Sequence, residues 1–334
     1  MKTVLITGAT GFIGSHLLTR CLKEGFRVRA LVRKGNAATA TLRQRGVEVV
    51  EGSLEDHDAV RRAVAGCDLV FHAAAITSDW GKWESFRAVN IEGTRAVCQA
   101  CLESGTCRMV YLSSIEVFDH ARLERLDESM PYSARGERYP DTKLGGTAAV
   151  GEYQKRGLDA CIIYPSLVYG PNDRTLIPLL ADAIRRGIMF YWERNVKLAL
   201  IYIDNLVDLT MLAALSPAAS GEGYLASDGN QLTFEGLCTR IAAAIGSRPP
   251  IIRLPTGVAR FAARSLELFH ELARIESRPV LTLQALELLS SRVVLDTSKA
   301  RRQLGWAPRI SLEEGFGRTL DWLLSVPPSE WKTK

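Results

Sequence analysis

A phenol and an ammonium four residues apart, Tyr139 and Lys143 in Tyr139-Pro140-Asp141-Thr142-Lys143, are the residues of this chain best suited to moving a proton. On a helix, that spacing puts both side chains on one face. A free phenol titrates near pH ~10, so it exchanges protons poorly at neutrality until a nearby cation stabilises its anion. With that help, Tyr139 would protonate a carbonyl oxygen as hydride arrives at the carbon, or take the hydroxyl proton in the reverse direction. The pair alone carries little, because the same spacing recurs on ordinary solvated helix faces.

Hydride chemistry needs a carrier, and Thr3 to His16 (Thr-Val-Leu-Ile-Thr-Gly-Ala-Thr-Gly-Phe-Ile-Gly-Ser-His) has the pattern to hold one. Val4, Leu5 and Ile6 form the short apolar run of a strand covered on both faces, and Phe12, Ile13, Leu17 and Leu18 begin a helical pattern. Gly8, Gly11 and Gly14 fall between and within these elements. Without side chains they permit a tight turn, close approach of backbone N–H groups to a pyrophosphate, and close packing of helix on strand. The turn residues Gly8, Thr10, Gly11, Phe12, Ile13 and Gly14 are therefore the candidate cofactor cradle.

The glycine spacing resembles the short-chain dehydrogenase/reductase superfamily, and Thr-Gly-Ala-Thr-Gly-Phe-Ile-Gly resembles its extended branch. The resemblance covers almost the whole chain and implies a Rossmann fold. Val89-Asn90-Ile91-Glu92-Gly93-Thr94 is similar to the family's Val-Asn-x-x-Gly-Thr, which implies that the Asn90 amide supports the active site. Ser113-Ser114-Ile115-Glu116-Val117 resembles the Ser-Ser-x-x-Val segment, in which the serine matched by Ser114 hydrogen-bonds the reacting oxygen. Lys143 would then hold the ribose and lower the Tyr139 pKa. Tyr164-Pro165-Ser166-Leu167-Val168-Tyr169-Gly170-Pro171 resembles Arg-Pro-x-x-Val-Tyr-Gly-Pro, which passes beside the nicotinamide and brings in Pro165 and Val168; Tyr164 departs from the usual arginine. Tyr202 to Asn205 and Asp296 to Trp322 match later family segments. Ser114, Tyr139 and Lys143 are the expected catalytic residues.

Cofactor preference is read at the second strand, whose tip should lie beside the adenosine ribose. An NAD site places an acid there, whereas this chain has Val32, Arg33 and Lys34, which suit a 2′-phosphate. NADP is favoured over NAD. Ser53 and Leu54 stand where the family has Asp-Leu near the adenine, and Ala73 and Ala74 are small enough to let a cofactor lie against the backbone. His72 beside them is read as a packed core residue without a catalytic role.

Strands near 27–32, 47–51, 68–73, 108–112 and 158–163 alternate with helical patterns, which indicates an α/β doubly wound parallel sheet. A dinucleotide-binding domain over 1–165 is expected to precede a smaller mixed α/β substrate region over 166–334. Segments about 195–215 and 293–300 are expected to return to the first domain. At 334 residues and 47% hydrophobic the chain can bury a large core, and the formal charge of +5, spread along it, argues against nucleic acid. No apolar run approaches the roughly 18 residues of a spanning helix, and with a first strand starting at Thr3 no cleaved leader is expected. Seven cysteines at irregular spacing fit a reducing, cytoplasmic setting. Cys98, Cys101 and Cys107 read better as small buried hydrophobes than as metal ligands, so no metal is expected.

Ser114-Ile115-Glu116 lacks the aspartate of the Thr-Asp-Glu segment found in nucleotide-sugar dehydratases, and Ser-Ser-Ile-Glu-Val resembles the 3-beta-hydroxysteroid dehydrogenase branch instead. The expectation is NADP(H)-dependent exchange between a ketone and a secondary alcohol on a mainly apolar small molecule, a sterol, steroid or long-chain keto compound. A nucleotide-sugar epimerase or reductase is the alternative, with Arg174, Arg185 and Arg186 as its phosphate cluster; a non-catalytic NADP-binding sensor is the second. Trp80, Trp83 and the loop from Phe118 to Arg138 are candidates for closing the pocket. Thr256 to Leu272 is amphipathic, with Val258, Phe261, Leu268, Phe269 and Leu272 opposing Arg260 and Arg264. Such a stripe ordinarily faces a core; the other reading is a peripheral contact with membrane or lipid. The resemblance also implies a homodimer packed through helices.

Overall fold

The computed structural model describes residues 1–105, 108–120, 123–194, 196–230 and 232–331. Its strands are β1 (Thr3–Thr7), β2 (Arg27–Val32), β3 (Glu48–Glu51), β4 (Leu69–His72), β5 (Arg108–Leu112), β6 (Arg125–Leu126), β7 (Ala160–Pro165), β8 (Leu167–Tyr169), β9 (Leu200–Tyr202), β10 (Gly223–Ala226) and β11 (Val294–Leu295). The helices are α1 (Phe12–Lys23), α2 (Thr39–Gln44), α3 (His57–Val64), α4 (Trp83–Phe86), α5 (Gly93–Ser104), α6 (Arg138–Gln154) and α7 (Ile177–Arg185). They continue with α8 (Ile203–Leu215), α9 (Phe234–Ala244), α10 (Thr256–Leu272), α11 (Leu283–Ser290), α12 (Ser298–Leu304) and α13 (Leu312–Ser325).

Seven strands form one parallel sheet in the order β10-β7-β5-β4-β1-β2-β3. Alternation along each strand sends side chains to two separate cores. Val4, Ile6, Phe71, Val110 and Ile163 join the core shared with α1 and α8, while Leu5, Val70, Met109 and Ile162 join the one shared with α3, α5 and α6. Both faces are covered, which explains why these strands read as continuous apolar runs.

Strand order reverses at β1, with β2 on one side and β4 on the other, and in sheets of this topology the crevice outside the carboxyl ends of the strands at that point is where ligands bind. The exits of β1, β2, β4, β5 and β7 all lie on this edge, so Gly8, Arg33, Ala73, Ser113 and Pro165 reach it from five separate strands. Beyond β7 the chain builds the small sheet β8-β9, returns through β11 to pair with the earlier β6, and through β10 adds an edge strand to the main sheet.

The periodic stripe of α10 does not face a core. Ala259 and Ala263 are the buried residues of that helix, and Val258, Phe261, Leu268, Phe269 and Leu272 are exposed. Small residues on the opposite side permit close packing, so the helix docks by its alanine face. Among the described residues no helix is long and apolar enough to cross a membrane. Cys98 and Cys101 are buried on α5, and Cys107 lies outside the described residues.

Candidate active site

The turn after β1 is shaped by what a side chain would collide with. Gly8 has φ +72°, and a Cβ there would lie 2.7 Å from the Ala74 backbone nitrogen, so the exits of β1 and β4 close together only over a glycine. Gly11 donates its N–H to the Gly8 carbonyl at 2.9 Å. A Cβ on Gly14 would come within 2.0 Å of that same oxygen. No side chain caps the start of α1, which leaves its first N–H groups directed at the crevice. This cradle fits a pyrophosphate, and a nicotinamide dinucleotide would be held there by the turn from Gly8 to Gly14.

Thr10 and Gly11 are exposed on the turn and Phe12 and Ile13 half-buried behind it. Arg33 and Lys34 are exposed where β2 ends. Ser53 is half-buried, and Leu54 packs so closely on α5 that a Cβ on Gly93 would lie 2.7 Å from its own. Ala73 and Ala74 line the β4 exit, with the Ala74 N–H donated to Thr7 Oγ1 at 3.3 Å. Pro165 closes β7, and Val168 is half-buried in β8. His16 on α1 lies 2.9 Å by its Nε2 from the Pro171 carbonyl, tying the glycine-turn helix to the Tyr-Gly-Pro segment.

His72 is buried, with Thr7 Oγ1 2.7 Å from Nδ1 and Thr94 Oγ1 3.0 Å from Nε2. Burial first, and the Lys143 charge second, pull its pKa down to about 3, so the ring is neutral across the physiological range. It is a strand-end brace.

Tyr139 and Lys143 share the inner face at the start of α6. The Tyr139 phenol stands beside Ser114, which favours its ionised form, and Ser114 Oγ accepts the Glu116 N–H at 3.2 Å. Lys143 is buried, donates to the Leu112 carbonyl at 2.6 Å, and stands 4.3 Å from the centre of the Tyr111 ring. Burial draws its pKa down to about 7. The sequence expectation that Lys143 lowers the Tyr139 pKa runs against the direction in this structure. Burial raises the phenol to about 12, opposed by neighbouring Ser114 and aided by the Glu116 charge, while the lysine ammonium is engaged with Leu112 and Tyr111. Tyr139 is held protonated at neutrality, the form that can give a proton to a carbonyl oxygen.

Asn90 sits behind this row. A π-helical turn over Arg87–Glu92 carries it, an irregularity frequent at functional sites. Its Nδ2 donates to Ile76 O and Thr142 Oγ1, both at 3.0 Å, and its Oδ1 accepts the Ile76 N–H at 2.8 Å. The side chain is buried and clamps the β4 exit loop to the α6 turn between Tyr139 and Lys143.

One cluster was not singled out from sequence. Glu116 is buried with Oε2 2.7 Å from Arg135 Nη2, and His120 Nε2 lies 3.1 Å from both Glu116 Oε1 and Arg135 Nη1. Burial pushes the Glu116 carboxyl up, but His120 and Arg135 outweigh it and hold the group below the usual range. Next to it, burial raises Glu137 to about 7, against the Arg135 charge and with the help of Glu116 and Glu287. The Glu116-to-His120 spacing of four was visible; Arg135 arrives from across the loop. Tyr164, in the family's arginine position, gives its hydroxyl to a 2.6 Å bond with Tyr132 and packs its ring on Phe118. Trp80 reaches the Ile275 carbonyl by Nε1 at 3.4 Å and carries the Arg138 guanidinium 5.2 Å above its ring; Trp83 is exposed. Among the described residues no group of three or more His, Cys, Asp or Glu is placed to hold a metal ion.

Comparison with known proteins gives a consistent neighbourhood. The model of the NAD dependent epimerase/dehydratase family matches residues 4–226. A 4-hydroxy-2-methyl-3-oxo-4-farnesyl-3,4-dihydroquinoline-1-oxide ketoreductase of Stigmatella aurantiaca is 32% identical, over 95% of each chain. A 2-alkyl-3-oxoalkanoate reductase of Stenotrophomonas maltophilia is also 32% identical, over 94% of this chain and 97% of that one. A 3beta-hydroxysteroid-dehydrogenase/decarboxylase of Arabidopsis thaliana is 30% identical, over 95% and 78%. Among solved structures, the UDP-glucose 4-epimerase of Thermotoga maritima shares the fold, with a TM-score of 0.76 at 20% identity over 97% of this chain and 99% of that one.

Proposed function

Because the chain belongs to the NAD dependent epimerase/dehydratase family and is an NAD(P)-dependent enzyme of the extended short-chain type, we propose that it is an NADPH-dependent ketoreductase. Its substrate on this reading is a mainly apolar ketone, a sterol, steroid or long-chain keto compound, exchanged with the secondary alcohol. A bound nicotinamide dinucleotide supplies or accepts the hydride. Ser114 hydrogen-bonds the reacting oxygen, and Tyr139 gives that oxygen its proton. Lys143 holds the ribose. Asn90 fixes the turn that carries the last two.

The single observation that carries the reading is the placing of Tyr139 beside Ser114, which follows the end of β5, with a buried Ile115 next to it. Isoleucine cannot donate a proton, so there is no acid at the position that water loss would use, while Ser114, Tyr139 and Lys143 would serve as the relay for carbonyl reduction. The reductase and dehydrogenase relatives, aligned over nearly the whole chain, support the same choice.

NADP is preferred on this reading because Arg33 and Lys34 stand exposed where β2 ends, in place of an acid. The enzyme is assigned to the cytoplasm, supported by seven irregularly spaced cysteines of which the six described are buried. A homodimer packed through helices follows from the family resemblance. The competing epimerase reading needs a basic cluster for a diphosphate. Of Arg174, Arg185 and Arg186, the last two are both directed to Asp182, at 3.0 and 3.5 Å, and Arg174 is exposed.

Competition separates the two readings. Long-chain keto acids or sterols should inhibit NADPH-dependent turnover of a model ketone, and UDP and dTDP should not. Strong inhibition by the nucleotides alone would favour a sugar-nucleotide enzyme.

A further inference from the structure

Ser114 and Tyr139 belong to separate elements, the turn after β5 and the first turn of α6, and the segment from Phe118 to Glu137 lies between them in sequence. A run of hydrogen bonds closes that segment. At its base the Ser133 N–H is given to the Val117 carbonyl at 2.9 Å. Ser114 Oγ accepts the Glu116 N–H at 3.2 Å. The Glu116 side chain is 3% exposed, and its carboxylate accepts from Arg135 Nη2 at 2.7 Å, a donor that also reaches the Glu116 carbonyl at 3.0 Å. His120 Nε2 completes the cluster at 3.1 Å from both partners. From Arg135 the run continues through the backbone: Asp141 accepts the Arg135 N–H on Oδ1 and the Gly136 N–H on Oδ2, both at 2.8 Å. Asp141 stands on α6 between Tyr139 and Lys143.

We propose that Arg135 is a positioning residue for the relay: its guanidinium, held on Glu116, and its backbone N–H, held on Asp141, set where Tyr139 stands relative to Ser114. The proposal rests on the ketoreductase reading, in which those two side chains meet one carbonyl oxygen. Stability alone is a poor account of the buried pair, since taking a carboxylate and a guanidinium out of water costs about as much as their attraction returns. What the guanidinium adds over an apolar side chain is direction. Its planar fork meets the carboxylate, the carbonyl and the imidazole in one fixed arrangement. The Arg135 and Gly136 N–H groups then pass that arrangement to α6 through Asp141. Proton transfer is steep in distance, and a misplacement of roughly 1 Å costs on the order of 10²-fold in rate.

The test is steady-state kinetics of Arg135→Met, Arg135→Lys and Asp141→Ala in the full-length protein, with kcat referred to the sites that bind cofactor so that any unfolded fraction drops out. Each is measured on whichever carbonyl compound the wild type turns over. A nucleotide-sugar substrate would overturn the ketoreductase reading while the variants still report on the network. Arg135→Met should lower kcat at least ~10-fold, with the substrate KM and the cofactor Kd within a few-fold of wild type. Arg135→Lys keeps the charge without the fork and should recover part of that loss. Asp141→Ala leaves the buried pair intact and cuts the other end of the run, so it should fold and lower kcat in the same way even if Arg135→Met does not fold. Because both changes break one run, the double variant should lose little more than Arg135→Met alone. Losses that multiply, an unchanged kcat in Asp141→Ala, or an effect confined to thermal stability would overturn the proposal.

Discussion

Asn90 Nδ2 and Thr142 Oγ1 are joined by a 3.0 Å hydrogen bond that links a π-helical turn after β4 to the first turns of α6. Tyr139 and Lys143 flank Thr142 in sequence, so the bond fixes the helix exactly where the proton donor and the buried lysine leave it. Replacing Asn90 with alanine strands the Ile76 N–H, its carbonyl and a donor bond to Thr142 in a buried setting. The expected cost is about 1–3 kcal/mol of stability, read by urea denaturation, together with a fall in kcat larger than any rise in the KM for the ketone. An equal loss of both, or no loss of stability, would show that the clamp does not position the relay.

Tyr139→Phe removes the proton donor and keeps the ring. Turnover should drop by at least ~10²-fold while the Kd for NADPH, followed by fluorescence titration, stays within a few-fold. Near-normal turnover would move the proton transfer to another group.

The Gly8, Gly11 and Gly14 turn and the Tyr139–Lys143 face were legible in the sequence because each is set by local backbone geometry: a φ that only glycine adopts readily, and a helical spacing of four. The sheet was legible for a similar reason, since strands covered on both faces leave continuous apolar runs. The Glu116, His120 and Arg135 cluster was not, because Arg135 meets Glu116 only after the loop between them closes. The stripe on α10 was visible as a period, but a period does not say which side a helix buries; Ala259 and Ala263 decided that through packing. The rise of the Tyr139 pKa was also hidden, since burial is a property of the fold and not of the pair.

Lys143 has a folded-state pKa of about 7 against ~10.4 for the unfolded chain. Between those values the unfolded chain binds the extra proton, so this group makes stability rise with pH above 7 and lose that gain as pH falls back through 7. Across pH 7.5–9, urea denaturation of the cofactor-free wild type should show a more positive slope than Lys143→Met, by up to about 1 kcal/mol per pH unit. Other groups titrate alike in both proteins and drop out of the difference. Parallel profiles would mean the lysine keeps an ordinary pKa in the fold.

Arg33→Ala should raise the Kd for NADPH by ~10-fold or more and leave that for NADH nearly unchanged. Lys34→Ala should act in the same direction. Equal effects on both cofactors would remove the 2′-phosphate from the account.

The central claim is reduction of an apolar ketone by the Ser114, Tyr139 and Lys143 relay, and NADPH oxidation measured against a carbonyl panel of steroids, long-chain keto acids, aldehydes and nucleotide sugars tests it most directly. The account predicts turnover with the apolar ketones, one alcohol formed per NADPH consumed and no dehydrated product. Turnover confined to nucleotide sugars, with the cofactor regenerated and no net NADPH consumed, would contradict it.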